Sequence, residues 1–137
     1  MTNEFWIFDT NTLLSALFND NSTPGLALKK ARTTGTLLIS AEIASEYFNV
    51  FSRDKFEKYV AFETRAAFIE NIITNALLIE PVTSVNICRD KKDNKFLEVA
   101  LTAGATCVIS GDQDLLILNP FNDIPIVTPG AFLSMFN

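Results

Sequence analysis

Five short apolar runs limit what this chain can fold into. They are "EFWIF" (residues 4–8), "TLLI" (36–39), "LLIE" (77–80), "TCVIS" (106–110) and "IPIVTP" (124–129). Each has strand length and is bounded by polar or turn-forming residues. Between them lie stretches with helical periodicity. Residues 11–18 can begin a helix. "NDNSTPG" at 19–25 reads as a loop, with Pro24 suited to the first turn of the next helix and Gly35 to its end. Ser40 can cap a helix to about Phe51, with Ile43, Tyr47, Val50 and Phe51 on one stripe. A further helix over 62–75 carries Phe62, Ala66, Ile69 and Ile73. The polar loop "NICRDKKDNK" (86–95) leads through Asp93 or Asn94 into a helix that buries Phe96, Leu97, Ala100 and Leu101 and stops at Gly104. "GAFLSMF" (130–136) reads as a last helix. Strands alternating with helices predict a parallel sheet covered on both faces, in one α/β domain spanning residues 1–137.

Composition removes several kinds of function. The chain is 48% hydrophobic, enough for a sizeable core. No apolar run approaches the roughly 20 residues of a membrane span, and "MTNEFWIFD" lacks the basic-then-apolar pattern of a secretory leader. A cytoplasmic protein with no membrane partner is expected. Cys88 and Cys107 lie in no CxxC or zinc-like spacing and read as small buried residues. The chain contains no histidine, which excludes Ser-His-Asp and Cys-His catalysis and imidazole zinc sites. A net charge of −5 argues against a protein that coats nucleic acid. All 11 Lys and Arg residues lie at or before Lys95, so beyond that point the chain is purely acidic.

Two of the apolar runs end in acid. "FWIFDTNTLL" is interrupted by Asp9 and Asn11, and "VISGDQDLL" by Asp112 and Asp114. Open parallel sheets form their sites outside the carboxyl ends of the strands. Asp9 and Asp112 should emerge there, and so should Asp93, which starts a helix running back toward a strand. Each acid alone has an ordinary alternative. Asp9 and Asp93 could be helix caps, Asp112 and Asp114 turn residues, and Glu46 part of a solvated face with Glu42, Asn49 and Arg53. Convergence gives the set its meaning. Two carboxylates 4 Å apart repel by about 4 kcal/mol at an effective dielectric near 20, so a cluster needs protons or cations. Hard oxygen donors without His or Cys select Mg²⁺ or Mn²⁺, and such an ion suits phosphoester hydrolysis.

These residues resemble a known family. "FDTNTLLSAL" is similar to the opening motif of PIN domains, and "LISAEIASEYFNVFSR" to their second segment. "CRDKKDNKFLEVALTAGATCVISGDQDLL" resembles the bacterial branch described as toxins of type II toxin–antitoxin pairs. The likeness covers nearly the whole chain, through "PIVTPGAFL". It implies an α/β/α domain with a five-stranded parallel sheet and a Mg²⁺- or Mn²⁺-dependent endoribonuclease. By the same resemblance the catalytic and metal-binding acids fall on Asp9, Glu46 (not Glu42), Asp93 and Asp112. Asn11, Ser110 and Asp114 support them, and Asp90 is characteristic of the branch. RNA as substrate and a protein antitoxin as partner follow, with a second copy of the chain as a further partner.

Basic residues near the acids are candidate phosphate guides: Arg53 and Lys55 after the Glu46 helix, and Arg89, Lys91, Lys92 and Lys95 around Asp93. Two other functions fit parts of the pattern. A haloacid-dehalogenase-like phosphohydrolase could use Asp9 as its first acid. It would then have Asn11 at its second acid and Leu13 at its threonine, leaving Glu46 and Asp93 without a role. A non-catalytic RNA- or partner-binding module would not need all four acids.

Overall fold

The computed structural model describes residues 4–136. Strands β1 (Glu4–Phe8), β2 (Gly35–Ile39), β3 (Leu77–Leu78), β4 (Cys107–Ile109) and β5 (Ile126–Val127) form one sheet in the order β3-β2-β1-β4-β5. All pairs are parallel. Helices α1 (Thr10–Phe18), α2 (Thr23–Thr34), α3 (Ala41–Phe51), α4 (Phe62–Asn75), α5 (Asn94–Ala103), α6 (Gln113–Leu116) and α7 (Pro129–Met135) connect or follow the strands. The chain moves outward from β1 through β2 to β3, then returns to lay β4 on the other flank of β1. The direction of winding thus reverses between β1 and β4, the place where open α/β sheets open a crevice.

The inner strands β2, β1 and β4 are buried over their last three residues, which are apolar on both faces. Ile7, Phe8, Leu38, Val108 and Ile109 are almost wholly inaccessible. Trp6 lies beneath α7, with its ring edge-on to Phe132 and Phe136 at 4.9 Å. Gly35 ends α2, as expected, its N–H donating to the Ala31 carbonyl, and it is also the first residue of β2. A Cβ there would sit 2.3 Å from the Glu4 carbonyl oxygen and 2.8 Å from the Trp6 indole nitrogen, so close strand pairing demands glycine.

Helix boundaries follow their caps. Ser22, Ser40 and Thr128 accept from the backbone N–H of Gly25, Ile43 and Ala131, and Pro24 and Pro129 occupy first turns. Gly104 ends α5 in the left-handed region, at φ 66°. Two elements depart from expectation. The third strand is only Leu77–Leu78, and both residues are exposed at the sheet edge. The acidic turn after β4 winds into α6, because Asp112 caps it through the Asp114 N–H. Among the described residues no helix is long and apolar enough to cross a membrane, and Cys88 and Cys107 are free and buried.

Candidate active site

Phe8 of β1 pairs with Ile109 of β4, so Asp9 and Ser110 leave the sheet side by side at the switch point. Asp9 does two things at once. Its Oδ1 accepts from the Thr12 N–H at 2.9 Å, capping α1, while Oδ2 accepts from the Ser110 hydroxyl. The capping reading and the site reading are therefore compatible. Ser110 Oγ in turn accepts from the Asp112 N–H at 2.9 Å. Burial pushes the Asp9 carboxyl upward, against the pull of its hydrogen bonds to Ser110 and Thr12, and the charge of Asp112 adds to the rise. From beneath, the buried Tyr47 hydroxyl donates to the Phe8 carbonyl at 2.6 Å and fixes the end of β1.

Asp93 is different in kind. It precedes α5 but makes no capping bond. Asp90 caps the preceding 3-10 turn (Lys91–Asp93) by accepting from the Lys92 N–H at 3.0 Å. Asp93 is left with a buried Oδ2 that has no hydrogen-bond partner. Oxygens of Asp93, Asp112 and Asp114 lie within 4.8 Å of one another. The Asp93 carboxyl is pushed up to about 7, first by burial, then by the charge of Asp112 and by the hydrogen bond that a proton shared with Asp112 would make, with Asp90 and Asp9 contributing; with both carboxyls ionised, its Oδ2 has no donor. A buried oxygen without a donor, set among like charges, is what a site shaped for a cation presents. The donor set is all carboxylate and fits a hard divalent ion.

Glu46 is brought to the same edge by the second turn of α3, yet it stands outside that group of three. One of its oxygens accepts from the Thr10 hydroxyl and the other pairs with Lys95 Nζ at 2.7 Å. Asn11 is exposed and lines a cleft of about 500 Å³ with Asp9, Thr12, Gly111 and Asp112; Asp9 bonds to Thr12 and Ser110 instead. The basic candidates divide. Arg89 is exposed, 3.9 Å from Asp114, and Lys91 and Lys92 are exposed beside Asp93. Glu46 is five residues, about 7.5 Å of helix, from Phe51, where α3 ends, and Arg53 and Lys55 come after that end. Lys95, expected to be a surface phosphate guide, is only 7% exposed and is tied to Glu46.

Sequence reasoning passed over three participants. Thr10 falls outside the predicted elements, Tyr47 reads as an ordinary core residue, and Asn94 is a candidate only for opening the helix that does begin there. The Asn94 Oδ1 accepts from the Ile87 and Cys88 N–H groups and pins the loop that carries Asp90. Only the neighbourhood of Thr10 to Asp9 and of Tyr47 to Glu46 could have signalled the first two.

Fold and site together define an α/β domain whose winding reversal carries a carboxylate cluster equipped for a hard cation. The chain belongs to the PIN-domain family, whose profile matches residues 6–114. An uncharacterized protein of Methanocaldococcus jannaschii is 32% identical over 140 residues, covering 95% of this chain and 90% of its own. Two solved structures share the fold. PAE2754 of Pyrobaculum aerophilum has a TM-score of 0.63 at 14% identity, covering 97% of this chain and 88% of its own. VapBC2 of Rickettsia felis, bound to a DNA fragment from its promoter, has a TM-score of 0.62 at 11% identity, covering 90% of this chain and 98% of its own. Family membership leaves the dehalogenase-like alternative without support. The bacterial branch is a narrower matter, since the relative at 32% identity is archaeal.

Proposed function

We propose that this chain is a divalent-metal-dependent endoribonuclease and the toxin of a type II toxin–antitoxin pair, acting in the cytoplasm. The observation that carries the reading is Asp93: a buried carboxylate oxygen with no donor, grouped with Asp112 and Asp114 at the switch point. PIN-domain membership and the likeness to VapBC2 support nucleolytic and antitoxin-paired roles. Asp93, Asp112 and Asp114, with Asp9 beside them, would hold Mg²⁺ or Mn²⁺. When bound, such an ion activates water and neutralises charge on a phosphoryl oxygen.

The chain's own residues do the rest. Thr12 and Ser110 fix the Asp9 carboxylate, and Tyr47 fixes the strand end that carries it. Asp90 and Asn94 shape the turn that aims Asp93 inward. Arg89, Lys91 and Lys92 offer exposed cations beside the acids for the flanking phosphates of RNA. With no histidine to serve as general base, attack by water instead of the ribose 2′-hydroxyl is the chemistry that the residues favour, and it leaves 5′-phosphate and 3′-hydroxyl ends. The test is incubation of purified protein with single-stranded RNA, with Mg²⁺ or Mn²⁺ and with excess EDTA, followed by end analysis. Cleavage that survives EDTA, or 2′,3′-cyclic phosphate ends, would overturn the proposal.

A further inference from the structure

The Glu46–Lys95 pair at the acidic edge joins a half-buried carboxylate to a buried ammonium. Lys95 lies on the first turn of α5, with a side chain 7% exposed. Its ammonium donates to Glu46 Oε1 at 2.7 Å and also to the carbonyl of Lys92, in the turn that presents Asp93. The other Glu46 oxygen accepts from the Thr10 hydroxyl. Both carboxylate oxygens of Glu46 are therefore engaged, one of them by a full positive charge. Asp93, by contrast, has an oxygen with no partner and sits with Asp112 and Asp114. The edge has two halves: an acidic one paired, among the described residues, only with the exposed Arg89, 3.9 Å from Asp114, and one whose enclosed cation is part of the chain.

We infer that Lys95 is a built-in cation that takes Glu46 out of metal coordination, so that the site loads one divalent ion and not two. This rests on the reading of the edge as a divalent-metal site. A second ion would need an anionic oxygen outside the first ion's set, and Glu46 is the carboxylate placed to supply it. Such an ion would have to displace an ammonium that is almost fully enclosed by protein. Moving that ammonium without a new partner leaves a buried unpaired charge, which is strongly unfavourable. Glu46 is then a positioning residue. It anchors Lys95, and through the Lys92 carbonyl it braces the turn that carries Asp93.

Counting bound Mn²⁺ by electron paramagnetic resonance and by calorimetric titration tests this without reference to catalysis. The wild-type chain should bind one Mn²⁺ at saturation. Glu46→Gln should still bind one, with the amide oxygen accepting from Lys95 in place of the carboxylate and an affinity loss no greater than the roughly 10–100-fold that a supporting partner costs. Loss of measurable Mn²⁺ binding in a folded Glu46→Gln protein would overturn the inference. Lys95→Met, which frees the Glu46 carboxylate, should bind a second, weaker ion; a count that stays at one would also overturn it. If Lys95→Met does not fold, the double variant Glu46→Gln/Lys95→Met keeps the pair uncharged and must bind one ion. A wild-type count of two overturns the inference and leaves the metal-site reading standing. A count of zero overturns both.

Discussion

Replacing Asp112 by asparagine should stabilise the metal-free protein while removing its response to metal. The new side chain would keep the shape of the old one and the cap on α6, since asparagine caps helices about as well as aspartate. What changes is charge. Oxygens of Asp93, Asp112 and Asp114 lie within 4.8 Å of one another. At that separation and an effective dielectric near 20, one pair of full charges repels by about 3.5 kcal/mol. Partial exposure and protonation of Asp93 reduce this, so Asp112→Asn should gain about 1–2 kcal/mol at pH 8 in EDTA. For a chain of this size that is a rise of roughly 3–6 °C in melting temperature.

The pH dependence has a definite sign. Asp93 is raised in the fold from its ordinary value of 3.8 to about 7, so the folded state holds its proton more tightly than the unfolded chain. Its contribution to stability is complete below about pH 4 and is lost as pH rises through 7. Wild type in EDTA should therefore weaken across that window. Asp112→Asn should weaken less, retaining the part due to burial and to the charges of Asp90 and Asp9. Adding Mg²⁺ should invert the order, because a ligand at one hundred times its Kd stabilises the native state by about 2.7 kcal/mol and the variant has lost a charged ligand. Denaturation across pH 4–8, with EDTA or Mg²⁺, measures all of this. A variant less stable than wild type in EDTA, or one stabilised equally by Mg²⁺, would refute the reasoning.

The two glutamates of α3 should separate cleanly: Glu46→Gln should lower RNA cleavage by roughly 10–100-fold, the scale for a residue that positions the site, while Glu42→Gln, exposed on the first turn, should stay near wild type in the same assay. Arg65 is 1% exposed and donates to the carbonyls of Phe51, Arg53 and Val60 and to Glu57. Arg65→Met should destabilise by about 3–5 kcal/mol and speed tryptic cleavage at Lys55 and Lys58, read by denaturation and by mapped limited proteolysis. Tyr47→Phe removes the 2.6 Å bond to the Phe8 carbonyl. It should cost about 1 kcal/mol and lower cleavage several-fold, read by melting and by single-turnover rates.

How far the sequence speaks depends on the range of the physics involved. Alternation of apolar runs with helical stripes is local, so the strand–helix order and the five-stranded parallel sheet were legible. The caps at Ser40 and Gly104 were too, each depending on one residue and its neighbours. The short α6 was not, because a four-residue helix carries too little periodicity to be distinguished from a turn. β3 was overestimated, since "LLIE" is apolar enough for a buried strand and only its edge position exposes it.

The same distinction explains the site. Asp93 and Asp112 were legible as neighbours because topology alone sends strand ends and helix starts to one edge; the third oxygen close to theirs is that of Asp114, given only a supporting place by the resemblance, and Asp9 lies outside that group of three. Their individual roles were not, because an aspartate before a helix looks the same whether it caps or coordinates. At Asp93 the difference is decided three residues earlier: Asp90 takes the N–H of Lys92, so the turn is capped without Asp93. Glu46 and Lys95 are 49 positions apart, and each by itself is an ordinary charged residue on a helix. Their pairing exists only because α3 packs against α5, so a residue read as a surface guide for phosphates becomes a buried counter-charge. Strand order can assemble acids at an edge, but only the packing of helices from distant parts of the chain decides which of those acids is left without a partner.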